Sequence, residues 1–391
     1  MKKQIWKTEK ENELNPTILE YNSGENIQLD QALLKYDIKV NKAHANMLEK
    51  TGLISAEENK KIQEALNKIP EDFKLDPELE DVHMNVESAL GEIGKKLHTS
   101  KSRNDQVMAD LQLYMKDQIG EIAGGLQELQ KVLKEKADEY KGAEMPAYTH
   151  MQPAVSTTFD EWIGAYACLF ESDVEFFNTA KKSLFCPLGA CAVAGTNLPI
   201  DKKMTAKELG FEKSFENPIA VISSRGEVET HCLFGLSMAM LHLNKLANDL
   251  QLYSTFEYGM IELADEVCTS SSIMPQKKNP DVLEILHSKS VEIHSLLMQN
   301  LMILNSLTSG FHMDMQQTKK NVMQGFEIVL KSIEVMKIVI AGLKANPEKM
   351  KELVEASGCN AIKEVEQLVL GGMPFRDAYK KVRQNYITAN R

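Results

Sequence analysis

The chain has 391 residues, 43% of them apolar and 26% charged, enough to build a large core as one elongated or two to three compact domains. A formal net charge of −11 argues against nucleic acid or an anionic membrane as the main partner, and no apolar run reaches the length of a membrane span. Six cysteines stand without CxxC pairing, as expected for mostly buried, reduced thiols of a cytoplasmic protein, and the charged opening MKKQIWKTEKENE lacks the apolar stretch of a secretory signal.

Residues 28–51 carry Leu33, Ile38, Ala43 and Met47 at about helical spacing, and Gly52 stops that pattern. Ser55 and Glu58 form a capping box for the next helix. Another helix opens at Asp81 and leads through Glu87 and Gly94 to the polar run 98–106, HTSKSRNDQ. Prolines then leave four long gaps, after Pro77, Pro153, Pro218 and Pro280, and within them lie apolar-periodic stretches at 103–140, 154–183, 224–257, 281–308 and 314–344. A helix of roughly 30 residues is about 45 Å long. The third stretch is apolar almost all round, which places it at the centre of a bundle. The spacing therefore predicts an all-α protein: a central bundle of five long helices, 101–345, flanked by smaller helical domains at 1–100 and 346–391. Asn346-Pro347-Glu348 starts a C-terminal helical pair, Gly371-Gly372-Met373-Pro374 separates its halves, and the tail after about Tyr386 reads as frayed.

Three polar islands interrupt or head the long helices: 98–106, 148–152 and 269–279. The last is a small-residue run, expected to be a mobile loop, followed by Lys277, Lys278 and the helix start Asn279-Pro280-Asp281. Lysine charge and free helix N–H groups both favour an anion. Lys101 and Arg103 add positive charge to the first island, so a small anionic substrate is expected in an otherwise acidic protein. Taken singly, each of these residues reads as a surface lysine or a helix cap. Histidines at metal-ligand spacing, nucleotide-binding glycine loops and a GxSxG elbow are all missing from the sequence, which gives no support to a metal or cofactor.

The segment 270–280, SSSIMPQKKNP, resembles the signature loop GSSxMPxKxNP of the fumarase/aspartase superfamily, and its QKKNP ending is most similar to the argininosuccinate lyases and δ-crystallins. HTSKSRNDQ resembles HTGRSRNDQ of that family, with Ser100 for Gly and Lys101 for Arg, and YTHMQP (148–153) resembles YTHLQP. DVHMNVE (81–87), PLGACAVAGT (187–196) and MDMQQTK (313–319) match further landmarks, so the resemblance covers about residues 20–385.

The resemblance implies cofactor-free β-elimination of L-argininosuccinate to L-arginine and fumarate. Removing a weakly acidic proton beside a carboxylate creates a second negative charge, which needs preorganised positive charge and a base. By the motif match the base is Ser271, while Lys277 and Asn279 hold the carboxylate and the intermediate. His150 protonates the leaving nitrogen, directly or through a water, and Glu284 pairs with it to set its tautomer. Substrate positioning falls to Ser102, Arg103, Asn104, Thr149, Gln316 and Lys319, with His83 as a further pocket residue. The family is homotetrameric, each site drawing on three subunits, which suits islands that head separate long rods.

The sequence departs from the family at Phe311 (Tyr), Ser270 (Gly) and 361–363, where ATD reads Ala-Ile-Lys; YNSGENIQLD shows no clear match for a substrate-contacting Ser. Rival readings are another fumarate-releasing lyase, of adenylosuccinate or aspartate type, and a silent δ-crystallin-like structural protein.

Overall fold

Five long helices occupy the expected stretches: Arg103–Glu139, Phe159–Ser183, Glu227–Tyr253, Asp281–Asn305 and Gln316–Gly342. The computed structural model describes residues 15–389, so the opening segment read above as lacking a signal lies outside the described residues. The fold is all-α, and its strands are short and paired in twos. Among the described residues no helix is long and apolar enough to cross a membrane.

Burial follows the helical period. In Glu227–Tyr253, Leu233, Leu236, Met240, Leu243, Leu246 and Leu250 are fully buried, and only Glu227, His231, Phe234, Lys245 and Asn248 are exposed, all on one stripe. The expectation of a helix enclosed on nearly every side is met. Arg103–Glu139 has 37 residues, about 55 Å of continuous helix.

Contacts group the chain into two compact units, and each holds one segment of all five helices. The first unit comprises 15–121, 176–236 and 294–327. It contains the helices Pro16–Asp30, Leu34–Lys50, Ala56–Asn67 and Val82–Leu90. Their ends obey local rules. The Ser55–Glu58 capping box forms in both directions, Gly52 ends Leu34–Lys50 at φ 77°, and Asp81 caps Val82–Leu90 by accepting from Met84 N at 2.9 Å.

The second unit comprises 122–175, 237–293 and 328–389. Here three expectations are corrected. The island 148–152 does not head a helix: it is the tip of an antiparallel hairpin, Glu144–Thr149 with Gln152–Thr158. The C-terminal helices are three, not two, because Gly358 takes a left-handed φ of 73° and ends Pro347–Ser357 before Ala361–Leu370 and Phe375–Ala389. The last of these continues past Tyr386 to Ala389, since Val382 and Tyr386 pack on Val365. Of the six cysteines, all free, Cys186, Cys232 and Cys359 are buried.

One glycine is required by two constraints at once. Gly226, just ahead of Glu227–Tyr253, has φ 88°, and a Cβ on it would stand 2.6 Å from Leu304 Cδ2 and 3.2 Å from Thr318 Cγ2. Gly226→Ala should destabilise the fold by roughly 1–3 kcal/mol through strain and overpacking. An unchanged thermal midpoint would show that this turn is not held as described.

Candidate active site

Five of the expected site residues converge in the first unit. A cleft of about 210 Å³ is lined by His83, Arg103, Asn104, Gln316 and Lys319, together with Phe311, Arg225, Asp30, Glu80 and Asp81. These side chains come from helix starts far apart in sequence. The start of Arg103–Glu139 is fixed by Asp105, whose buried carboxylate accepts from the backbone N–H of Ser102 (2.9 Å), Gly189 (3.0 Å) and Cys191 (2.7 Å). Burial still raises its pKa against those three bonds. Asn104 Nδ2 donates to the Ala192 carbonyl at 3.1 Å, so the SRNDQ and PLGACAVAGT motifs clamp each other. Ser102 sits beside the cleft rather than lining it; its hydroxyl accepts from Asn104 N at 3.3 Å as a helix cap.

The cleft's charges are mostly neutralised internally. Arg103 pairs with Glu80 at 2.7 Å and also with Asp81. Lys319, only 1% exposed, pairs with Asp30 and donates to Asn26. Asp30 also accepts from Val82 N at 3.1 Å.

Behind His83 lies a second, fully enclosed group. His83 Nδ1 meets Asp37 Oδ1 at 2.7 Å and Asp110 Oδ2 at 3.5 Å. Burial alone would lower the His83 pKa, but Asp81, Asp37 and Asp30 outweigh it and hold it above its ordinary value. Asp110 is pushed the other way for an acid. Burial, then the Asp37 charge and a hydrogen bond with Asp37 raise its pKa well above 3.8. Protonated, it can donate to Asp37. The buried Lys101 completes the group, its ammonium bonded to Asn41 and its pKa lowered by burial. Asp37, His83 and Asp110 are the one trio of potential metal ligands among the described residues. Among its atoms His83 Nε2 and both Asp110 oxygens are buried without a hydrogen-bond partner among the described residues.

The remaining site residues lie in the second unit. Thr149↔Gln152 closes the hairpin around a two-residue loop, His150 and Met151, with φ of 54° and 58°. Such a loop normally takes Asn-Gly, so His150 is held in strained, exposed backbone. Tyr148 anchors the tip through Tyr253 and Tyr258, with ring centroids at 6.0 and 5.8 Å.

The serine run is not irregular throughout: Thr269 and Ser270 pair with Asn279 and Lys278 and pinch off the loop 271–277. Within it Ser271 Oγ accepts from the backbone N–H of Met274 (3.1 Å) and Ile273 (3.3 Å), two donors aimed where an alkoxide would carry its charge. Lys278 is spent on anchoring, to the Leu263 carbonyl at 2.7 Å and Asp265 at 2.6 Å. The Lys277 ammonium has no hydrogen bond or ion pair among the described residues. Asn279 lies in the strand pair one residue before Pro280 and the helix Asp281–Asn305. Glu284 accepts from Gln251 Nε2 at 3.3 Å, and no bond within this chain joins it to His150.

Sequence reasoning missed Arg225, Asp30, Asp37 and Asp110. The only signal for Arg225 was an Arg-Gly pair directly before an almost wholly apolar helix.

Residues 18–294 match the protein family described as "Lyase". The chain is 36% identical over 389 residues to the argininosuccinate lyase of Pelotomaculum thermopropionicum, covering 97% of this chain and 84% of the relative. It is 38% identical over 375 residues to that of Leuconostoc mesenteroides, covering 93% and 81%. Among solved structures, EDDS lyase in complex with formate superposes with a TM-score of 0.82 at 25% identity, covering 97% of this chain and 77% of that one.

The enclosed acids carry a pH dependence. A raised carboxyl pKa means that the folded state favours the proton, so above 3.8 the unfolded chain ionises Asp110 more readily and stability falls with pH until the folded pKa is passed. His83 acts in the same direction: its contribution is complete below 6.5 and is lost as pH climbs through its raised value. Asp110→Asn keeps the shape and carries a permanent donor. It should stay within about 1.5 kcal/mol of the parent near pH 6 and lose less stability than the parent as pH rises. Parallel stability-against-pH curves for parent and variant as pH rises from 3.8 would refute the shared proton.

Proposed function

Because this chain belongs to the argininosuccinate lyase branch of the lyase family, we propose that it cleaves L-argininosuccinate to L-arginine and fumarate by cofactor-free β-elimination, in arginine biosynthesis. The observation that carries this reading is Ser271: its oxygen is already held under two backbone N–H groups, on a loop whose second lysine is tied down and whose first is free. Ser271 takes the proton, Lys277 and Asn279 stabilise the developing dianion, and His150, directly or through a water, returns a proton to the leaving nitrogen. Arg103, Asn104, Gln316 and Lys319 position the substrate with Thr149, while Ser102 and His83 support the cleft wall. The free cysteines favour a reducing, cytoplasmic setting.

Incubating the protein separately with argininosuccinate, adenylosuccinate and aspartate, and following fumarate by its ultraviolet absorbance, should give turnover with the first alone. Ser271→Ala should lower kcat by about 10²-fold or more with little change in substrate binding, since it removes a group used in the transition state. Ser272→Ala should be much milder. Near-normal turnover in Ser271→Ala would place the base elsewhere.

The reading includes a homotetramer with shared sites. Helix Asp281–Asn305 supports this through Val291, Met298 and Met302, exposed at 65, 49 and 68% on one stripe. Glu284 lies on that same stripe by the helical period. A neighbouring copy covering this face would therefore meet the acid that has no His150 partner in its own chain. Two inactive proteins, Ser271→Ala and His150→Asn, should regain partial activity when denatured together and refolded as hybrids. A monomer by light scattering, or well-mixed hybrids without activity, would exclude shared sites.

A further inference from the structure

Behind the cleft wall, the enclosed trio Asp37, His83 and Asp110 supplies its two carboxylates unequally. Asp37 accepts from His83 Nδ1 at 2.7 Å, from Asn41 Nδ2 at 2.8 Å and from Gln106 Nε2. Asp110, completely buried on Arg103–Glu139, receives no hydrogen bond from a donor group among the described residues, although its Oδ2 stands 3.5 Å from His83 Nδ1. A proton shared with Asp37 occupies one Asp110 oxygen and leaves the other bare.

The nearby cation does not fill this gap. Lys101 stands where the motif HTGRSRNDQ has its first arginine, and its ammonium is bonded to Asn41 instead of either acid. A guanidinium carries five donors in a fork that matches a carboxylate, whereas an ammonium is a compact charge, here turned to an amide oxygen. Beside Lys101 and His83 lies a hollow of about 10 Å³, its polar lining including Asn41, Glu87, His98 and Gln106.

Each member of the trio can offer one ligand atom, and these atoms lie within 4.8 Å of one another. Ligands of a tetrahedral zinc are about 3.4 Å apart, a separation that His83 Nδ1 and Asp110 Oδ2, at 3.5 Å, already have. One imidazole with two carboxylates suits a first-row transition ion better than magnesium or calcium, which take oxygen ligands. We propose that Asp37, His83 and Asp110 form a zinc-binding site, which Lys101 leaves open by turning to Asn41. The ion takes the place of the proton between His83 Nδ1 and Asp37, while Asn41 and Gln106 hold the Asp37 carboxylate in position as outer partners. It braces Leu34–Lys50, Val82–Leu90 and Arg103–Glu139, which supply one ligand each, and takes no part in the elimination proposed above.

Because the trio is enclosed, the test refolds the full-length protein from denaturant with zinc chloride or magnesium chloride, desalts it and measures the retained metal. The parent should keep close to one zinc per chain and no magnesium, and zinc should raise its thermal midpoint by about 2 °C or more. X-ray absorption at the zinc edge should show nitrogen and oxygen ligands and no sulfur, which separates this site from the six cysteines. Asp110→Asn removes a ligand, and Lys101→Arg offers Asp110 the guanidinium donors that it lacks. Each should weaken zinc binding by about 10²-fold, and the Arg variant carries the test if the Asn variant does not fold. A parent that keeps no zinc, a sulfur shell around the metal, or a folded variant of either kind that holds zinc as the parent does would overturn the proposal. These readouts do not depend on which substrate the protein cleaves.

Discussion

Charges buried in a helical core must find partners, and in the first unit this requirement builds the cleft. Lys319 on Gln316–Gly342 meets Asp30 at the end of Pro16–Asp30, and Asp30 also receives the first N–H of Val82–Leu90. Asp81 caps that helix and pairs with Arg103 at the start of Arg103–Glu139. Four elements distant in sequence are thus tied at their ends by carboxylates, each serving a cation and a backbone donor together. Removing one partner from such a pair leaves an uncompensated buried charge, worth about 3–5 kcal/mol. The cleft is the space among these ends.

The second unit positions its groups by backbone instead. His150 and Met151 both adopt left-handed conformations that cost of order 1–3 kcal/mol each in non-glycine residues. The hairpin ladder, the Tyr148–Tyr253–Tyr258 cluster and the Ser156–Asn360 hydrogen bond of 3.2 Å supply the opposing order. Ser271 is placed by the same means, since the turn that follows it points two amides at its oxygen.

What could be read in advance follows from how local each determinant is. The long helices were legible because burial repeats every 3.6 residues and proline is excluded from their interiors. Caps such as Ser55, Asp81 and Asn346 were legible because both partners lie within three residues. The hairpin was not: His-Met carries no turn signature, and packing from distant residues holds it. Arg225 and the Asp37–Asp110 pair were hidden for another reason. Their types and spacing are ordinary, and only tertiary enclosure gives them chemical meaning. The motif match singled out Lys277 over Lys278, but the partners that tie Lys278 down, Asp265 and the Leu263 carbonyl, could not be read from it.

Two departures from the family pattern, Ser270 and Phe311, fall where the lost group is not needed by the backbone or by the surface beneath a neighbour, and a third, Ser100, carries a backbone cost. Ser270 lies in the short strand pair and has no positive φ, so the missing glycine removes no freedom that this loop uses. Ser100 does take the left-handed conformation, at φ 60°, a cost of roughly 1–2 kcal/mol. Its neighbours are held in place, Thr99 by His44 at 2.8 Å and Lys101 by Asn41, and its own carbonyl accepts from Cys191 Sγ at 3.3 Å. Phe311 gives up a hydroxyl but keeps the ring face, and the ring face is what touches Arg225. A substitution that deletes a polar atom while preserving the surface beneath a guanidinium leaves that group aimed at the cleft. The sequence changes are therefore compatible with the chemistry residues they surround.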